Sequence, residues 1–350
     1  MRTTGLAISL LLLLVTFTSA GEPENRPDRL EELRTITRAL RAEKRLAETL
    51  EALDRPEVGD AGARICALEG LRQKTLLRLA GRMEMPARRT PASAVPPAPL
   101  AILIAKPGWA AADPAYNEAG LWEAVHLKTG LVFVLVPGGS YIMGSEERGP
   151  KVKPCGIAPR RVTVEPFLIC KTECTQEAWK RGVGPWKIEI PPGDRLPMVG
   201  YSWFTYKSWC ERNGLRLPTE PEWEYAARAG TRTLWHFGDE EKKLDAYVWF
   251  KGNSGNELRE VAGLLPNRWG LYDMHGNASE FVGDPGDKVG RVYRGGSYCT
   301  TARGCRSAYR YIGYSGGYIT RYSLQLGFRP AVSLPDPEDE KAEQDAKKKK

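Results

Sequence analysis

The side chains of this 350-residue chain that are best placed to do chemistry lie close together in sequence. Asp273-Met274-His275-Gly276-Asn277-Ala278-Ser279-Glu280 sets two carboxylates seven residues apart around a glycine turn. Hard calcium takes carboxylate and carbonyl oxygens gathered by such a turn. The same residues also read as a solvated acidic loop. Next, Arg294-Gly295-Gly296-Ser297 leads into Cys299 and Cys305, six residues apart with Gly304 between them to give the chain freedom. Two such sulfurs can close a disulfide or stay as core thiols. The sequon Asn277-Ala278-Ser279 sits inside the turn and is incidental there. His126, His236 and His275 lie too far apart in sequence to suggest a zinc site or a triad, and His275 reads as a structural histidine.

Seven cysteines (Cys66, Cys155, Cys170, Cys174, Cys210, Cys299, Cys305) leave at least one thiol free or intermolecular. Cys170-x-x-x-Cys174 lacks a matching second pair and reads as core thiols rather than a metal site.

The elements that must hold these residues follow from pattern. Val132 to Val136 is a short buried strand, Pro137-Gly138-Gly139 breaks it, and a second strand runs through Tyr141 to Gly144. Arg161 to Phe167 alternates like one half-buried strand. Thr175 and Ser202 each open a helix, the second stopping at Asn213-Gly214. Thr219-Glu220-Pro221-Glu222 spells a capping box for a third. Loops and short strands follow with no strand-helix repeat, which predicts an α+β domain and excludes doubly wound and barrel folds.

Around this domain the material changes. Arg2, the apolar run Leu6 to Phe17 and Thr18-Ser19-Ala20 predict a signal peptide over residues 1–20, an uncleaved signal anchor being the alternative. The chain is therefore expected to work after export: periplasmic, secreted or at the cell surface. Apolar residues at helical spacing (Leu30, Leu33, Ile36, Leu40, then Ile65, Leu68, Leu71) predict a helical hairpin or coiled coil over 21–85, with self-association through 28–83 or a plain solvated spacer as its role. A proline-rich linker is expected over 86–100, the main domain over 101–333 and a disordered charged tail over 334–350. A net charge of +8, spread thinly, gives no basic stripe, so nucleic acid is not an expected partner. Ten tryptophans at scattered spacings read as core packing before sugar stacking.

Five blocks in order carry a family likeness: Val136 to Ser145, Arg216 to Arg228, Pro266 to Asn277, Arg294 to Ser297 and Gly327-Phe328-Arg329. The chain resembles the formylglycine-generating enzyme (sulfatase-modifying factor) family over about two thirds of its length. The resemblance implies an α+β fold related to C-type lectins, low in regular secondary structure, with bound calcium. Asp273 and Glu280 would supply side-chain oxygens to that ion, and Gly276 and Ala278 backbone carbonyls. In family members with full catalytic equipment, two thiolates hold copper(I), and oxygen converts a sulfatase cysteine to formylglycine. There the first thiol follows the serine by three residues and the second comes five later. Here Cys299 follows Ser297 by two and Cys305 lies six beyond. In an extended segment a slip of one turns a side chain to the opposite face. Cys305-Arg306-Ser307-Ala308-Tyr309-Arg310 instead resembles the block after the catalytic loop, whose cysteine is structural. The family's disulfide partners for Cys210 and Cys305 fall at Pro330 and near Ala227, leaving both as buried thiols. Ser279 and Phe281 stand where the family carries tryptophans.

The expected function is a noncatalytic, calcium-stabilised binding or accessory module for a protein or glycan partner, using Ser297, Tyr298 and the loop to Arg310. One alternative is a copper-dependent formylglycine-generating oxidase, with Cys299 and Cys305 as metal ligands and Ser297 shaping the pocket. Another is a structural envelope protein built on the N-terminal helices and charged tail.

Overall fold

The computed structural model describes residues 95–145, 158–184, 190–283, 290–314 and 324–338. The expected signal peptide, the helical stretch over 21–85, most of the linker and most of the charged tail lie outside the described residues. Among the described residues no helix is long and apolar enough to cross a membrane.

In chain order the first elements are α1 (Ala98–Ile104), β1 (Trp109–Tyr116), β2 (Trp122–His126), β3 (Leu131–Val136), β4 (Gly139–Met143), β5 (Arg160–Val164) and β6 (Phe167–Cys170). Then come α2 (Gln176–Arg181), α3 (Trp203–Arg212), α4 (Glu220–Arg228) and α5 (Leu244–Tyr247). The last are β7 (Ser279–Phe281), β8 (Gly290–Arg294), β9 (Tyr311–Tyr314), β10 (Leu326–Phe328) and β11 (Ala331–Ser333). The mixture is α+β, as the sequence predicts. Single 3-10 turns at Glu241–Lys243 and Ala302–Cys305, with α5, add helical pieces where only loops and strands are expected.

Strands β1-β2-β3-β6-β11 form one sheet, β10-β7-β8-β9 a second, and β4-β5 a separate ribbon. Period-two geometry explains how the first sheet builds two cores. From β3 and β6, Phe133, Leu135, Leu168 and Cys170 enter a cluster with Trp179, Tyr206, Trp209 and Phe328. Their neighbours Val134, Val136, Phe167 and Ile169 enter a second cluster with Trp223, Met274 and Val292. Both strands are covered on both faces, so they read as apolar runs. Trp179, Trp209, Trp223 and Trp235 are all fully buried, which makes them packing residues.

The stretch expected as one strand, Arg161 to Phe167, is two. Pro166 has no N–H to give a ladder, so β5 ends at Val164 and pairs with β4, while Phe167 opens β6 against β3 and β11. Helix α1 starts at Ala98, inside the expected linker, and buries Leu100 and Leu103.

The helix starts are as read. Thr175, Ser202 and Thr219 each accept a backbone N–H from three residues on. At α4 the box is complete, because the Thr219 N–H donates to Glu222 Oε2 at 2.7 Å while the Glu222 N–H donates to Thr219 Oγ1 at 3.3 Å. Arg216 clamps the same carboxylate with two bonds of 2.7 Å. Thr219→Ala should cost about 1 kcal/mol. Urea unfolding checks it, and no change in midpoint would mean that Arg216 alone holds the helix start.

Candidate functional site

The glycine turn is locked from several sides. Asp273, Gly276 and Asn277 all have positive φ (57°, 92° and 55°). A Cβ on Gly276 would lie 2.1 Å from the Trp249 carbonyl oxygen, so only glycine lets these backbones approach. Asp273 Oδ2 accepts the Ala262 N–H at 2.6 Å, and the Asn277 amide bridges both backbone polar groups of Arg259.

Glu280, expected as a calcium ligand, forms a buried ion pair with Arg329. It enters β7 fully buried, where Arg329 Nε donates to both its oxygens at 3.0 Å and Nη2 donates to Oε1 at 2.7 Å. The Trp223 indole N–H takes Oε2 at 2.6 Å. Four charge-assisted bonds hold this carboxylate in place. Sequence reading placed Arg329 and Trp223 in separate family blocks without seeing that Glu280 joins them. Glu173 it missed altogether. That carboxylate is fully buried beside the turn, with Oε1 accepting the Ala278 N–H at 3.2 Å and Oε2 without a partner. Among the described residues no group of three or more His, Cys, Asp or Glu side chains gathers into a metal-binding cluster.

The two sulfurs differ in exposure. Cys299 is half-exposed, and its Sγ is 3.3 Å from Ser297 Oγ. Cys305 is fully buried in a cluster with Trp235, Leu244 and Val248. Its thiol packs so tightly on the Gly295-Gly296 turn that a Cβ on Gly296 would come 2.7 Å from Sγ. Burial pushes the Cys305 thiol well above its ordinary range, and a charge on Cys299 would push it further. Copper(I) needs two thiolates. Cys305 is not open to solvent: its apolar cluster and the Gly295-Gly296 turn enclose the sulfur, so a copper(I) site here would have to draw a proton from a buried thiol. The two are not joined, since both are free cysteines. Cys170, Cys174 and Cys210 are likewise free and buried in the first cluster.

Ser297 is fully buried, its hydroxyl 2.9 Å from Thr300 Oγ1 and 3.3 Å from Gln325 Oε1. The segment after it is tied down at many points. Tyr298 donates its N–H to Asn277, Ser254 Oγ donates to the Tyr298 carbonyl at 2.6 Å, and Arg310 reaches Glu220 at 2.8 Å. Above it Tyr293 stacks on Tyr311 across β8 and β9 (5.0 Å, 4°), and Tyr309 leans on Tyr311 at 4.5 Å. Arg306 lies 6.0 Å over the Tyr309 ring. The result is a half-buried terrace of tyrosine and arginine on β8, β9 and the segment leading into β9.

Beneath the loop, His275 Nδ1 is 2.8 Å from the Cys305 carbonyl and Nε2 lies 3.4 Å from the His236 N–H. A carbonyl only accepts and an amide N–H only donates, so His275 is the neutral Nδ1–H tautomer. The His236 ring stacks on it at 5.2 Å. Its place is structural, as the sequence suggests.

Residues 119–334 match the sulfatase-modifying factor enzyme 1-like domain. The inactive C-alpha-formylglycine-generating enzyme 2 of Mus musculus is 32% identical over 271 residues, covering 59% of this chain and 87% of the mouse protein. The formylglycine-generating enzyme of Streptomyces coelicolor is 32% identical over 185 residues, 44% of this chain and 57% of that protein. Among solved structures, Treponema denticola variable protein 1 superposes with a TM-score of 0.52 at 24% identity, covering 59% of this chain and 97% of that one. PvdO from Pseudomonas aeruginosa gives 0.52 at 23% identity over 59% and 96%. These two share the fold. With the five ordered blocks and the matched span, the chain belongs to the sulfatase-modifying factor enzyme 1-like domain family.

Proposed function

We propose that this domain is a noncatalytic binding or accessory module of its family, acting after export and presenting the loop from Ser297 to Arg310 to a peptide or glycan partner. The observation that carries the reading is the place of Cys305: buried in an apolar cluster and wedged on the Gly295-Gly296 turn, its sulfur is enclosed while that of Cys299 is half-exposed. The relative aligned over 87% of its own length is itself described as inactive, which supports the same reading. The binding role rests on the terrace of Tyr293, Tyr309 and Tyr311 with Arg306, whose rings and guanidinium suit stacking and polar contacts. The hydrogen bonds that fix the loop beneath it keep the ordering cost of binding low.

An anaerobic copper(I) titration of the reduced chain against a competing chelator tests the reading, with Cys299→Ser and Cys305→Ser alongside. The expected result is no tight one-to-one site that both substitutions remove. Such a site, together with aldehyde formation on a cysteine peptide, would make the domain an oxidase.

A further inference from the structure

The tyrosine terrace continues past Tyr293. Arg291 precedes it by two residues in β8, so both side chains take the face opposite the buried Val292 and Arg294. Across the ladder Tyr293 pairs with Tyr311 and Arg291 with Gly313, and that glycine leaves the guanidinium room. Arg291 Cζ lies 4.0 Å over the Trp203 ring and 5.0 Å over that of Phe204, in the first turn of α3. Phe204 is 64% exposed and Val183 is 70% exposed. The two share a shallow groove of about 550 Å³ with Gly184, Thr205, Ser208 and Arg212. Val183 is β-branched and sits at φ 57°, a backbone conformation that costs free energy. The glycines beside it press on the core, where a Cβ on Gly182 or Gly184 would run into the indole of Trp209 or Trp179. The turn thus holds an apolar side chain out to solvent. Cations frame the groove, with Arg291 against Phe204 and the exposed Arg212 in the last turn of α3. The carboxylate beside Arg212 on that helix, Glu211, is taken by Lys207.

We propose that this face, from Arg306 through the tyrosines and Arg291 to the Val183–Phe204 groove, binds an extended acidic peptide of a partner protein. One large apolar side chain of the peptide sits in the groove, and its carboxylates lie on the arginines. The inference rests on the reading of the tyrosine terrace as a binding surface, and it names the partner. Guanidinium groups meet carboxylates in a fork and phenol hydroxyls can donate to them, so charge complementarity selects an acidic chain. A neutral glycan would leave the guanidiniums unmatched. The concave apolar groove accepts a single side chain, where a lipid surface would call for protruding ones.

Arrays of octapeptides probed with the labelled full chain test the assignment. Each carries leucine, phenylalanine or tryptophan beside a run of aspartate and glutamate, and each has a twin with the acids replaced by amides. Hits are then titrated by fluorescence anisotropy. Acidic peptides are expected to bind about tenfold tighter than their twins and to weaken as salt is raised. Phe204→Ala and Arg291→Ala should each weaken binding by roughly tenfold, Arg306→Ala should weaken it too, and Phe204→Tyr, which keeps the ring, should retain it. Unchanged melting temperatures separate these losses from unfolding. Twins that bind as well as the acidic peptides, or Phe204→Ala and Arg291→Ala variants that bind as tightly as wild type, would overturn the assignment. Polygalacturonate or phosphatidylglycerol vesicles that bind through Arg306 where no peptide does would leave the terrace a binding surface and make the peptide wrong. If none of these probes binds in a way that Arg306→Ala weakens, the terrace reading itself fails.

Discussion

Arg329→Met should destabilise the chain by about 3–5 kcal/mol, the cost of leaving a buried charge without its partner. The guanidinium is fully buried. Besides its three bonds to Glu280, Nη1 donates to the Cys170 carbonyl at 2.9 Å and Nη2 to the Tyr272 carbonyl at 2.8 Å. One side chain therefore joins the end of β10, the end of β6, the glycine turn and β7. Removing it strands the Glu280 carboxylate on a single indole N–H and strips donors from two carbonyls, and each unmet group adds its own desolvation cost. Glu280→Gln should cost less, because the amide oxygen still accepts from Trp223 or Arg329 and the Glu173 carboxylate also acts on that guanidinium. The double variant should lose less than the sum of the two, since both remove one interaction. Urea unfolding of the four proteins measures this cycle. A cost below about 1 kcal/mol for Arg329→Met would mean that packing, not the ion pair, holds these segments.

Periodicity and capping chemistry made the scaffold readable. The apolar run of β3, the three helix starts and the capping box at Thr219 each depend on neighbours within a few residues, and each stands where its pattern puts it. Pro166 was also a local signal, and it divides a stretch that alternation alone joins into one strand. The site was less legible because its partners are distant in sequence. Glu280 meets Trp223 from 57 residues away and Arg329 from 49. Carboxylate spacing around a turn does not reveal that one of the carboxylates is already paired. Glu173 carries no motif at all, and only the tertiary fold brings it within 3.2 Å of the Ala278 N–H. For the cysteines, the one-residue slip after Ser297 was visible in sequence, while the half-exposed Cys299 and the buried Cys305 needed the fold.

The stacked pair His236 and His275 should make the same domain acid-labile. Burial holds both imidazoles neutral, pulling His236 well below its ordinary value and His275 down to about 4. Each is lowered further by a neighbouring cation, Arg268 near His236 and Arg228 near His275, and His236 also by His275 itself. One hydrogen bond acts in the same direction, because a proton on His275 Nε2 would face the His236 N–H that the lone pair now accepts, while the Nδ1–H bond to the Cys305 carbonyl favours the charged ring and offsets part of the burial effect. In the unfolded chain a histidine takes up its proton near pH 6.5. Between there and the folded value the unfolded state binds more protons, so stability falls as pH falls, and His275's share of the loss is complete below about pH 4. For His275 alone that share is about 3 kcal/mol. Glu173 opposes it, since its raised carboxyl binds a proton more readily folded than unfolded, so the whole-chain slope understates the histidines. The difference between wild type and His236→Phe isolates part of the effect, as phenylalanine keeps a flat ring between Phe237 and Tyr247 and carries no proton. Urea unfolding at pH 7.5 and 4.5 is expected to show the variant losing distinctly less stability across that interval. Equal losses in the two proteins would place the acid sensitivity outside the histidine pair. The Cys305 carbonyl takes the His275 Nδ1–H, so the acid-sensitive pair is joined directly to the segment that follows Ser297.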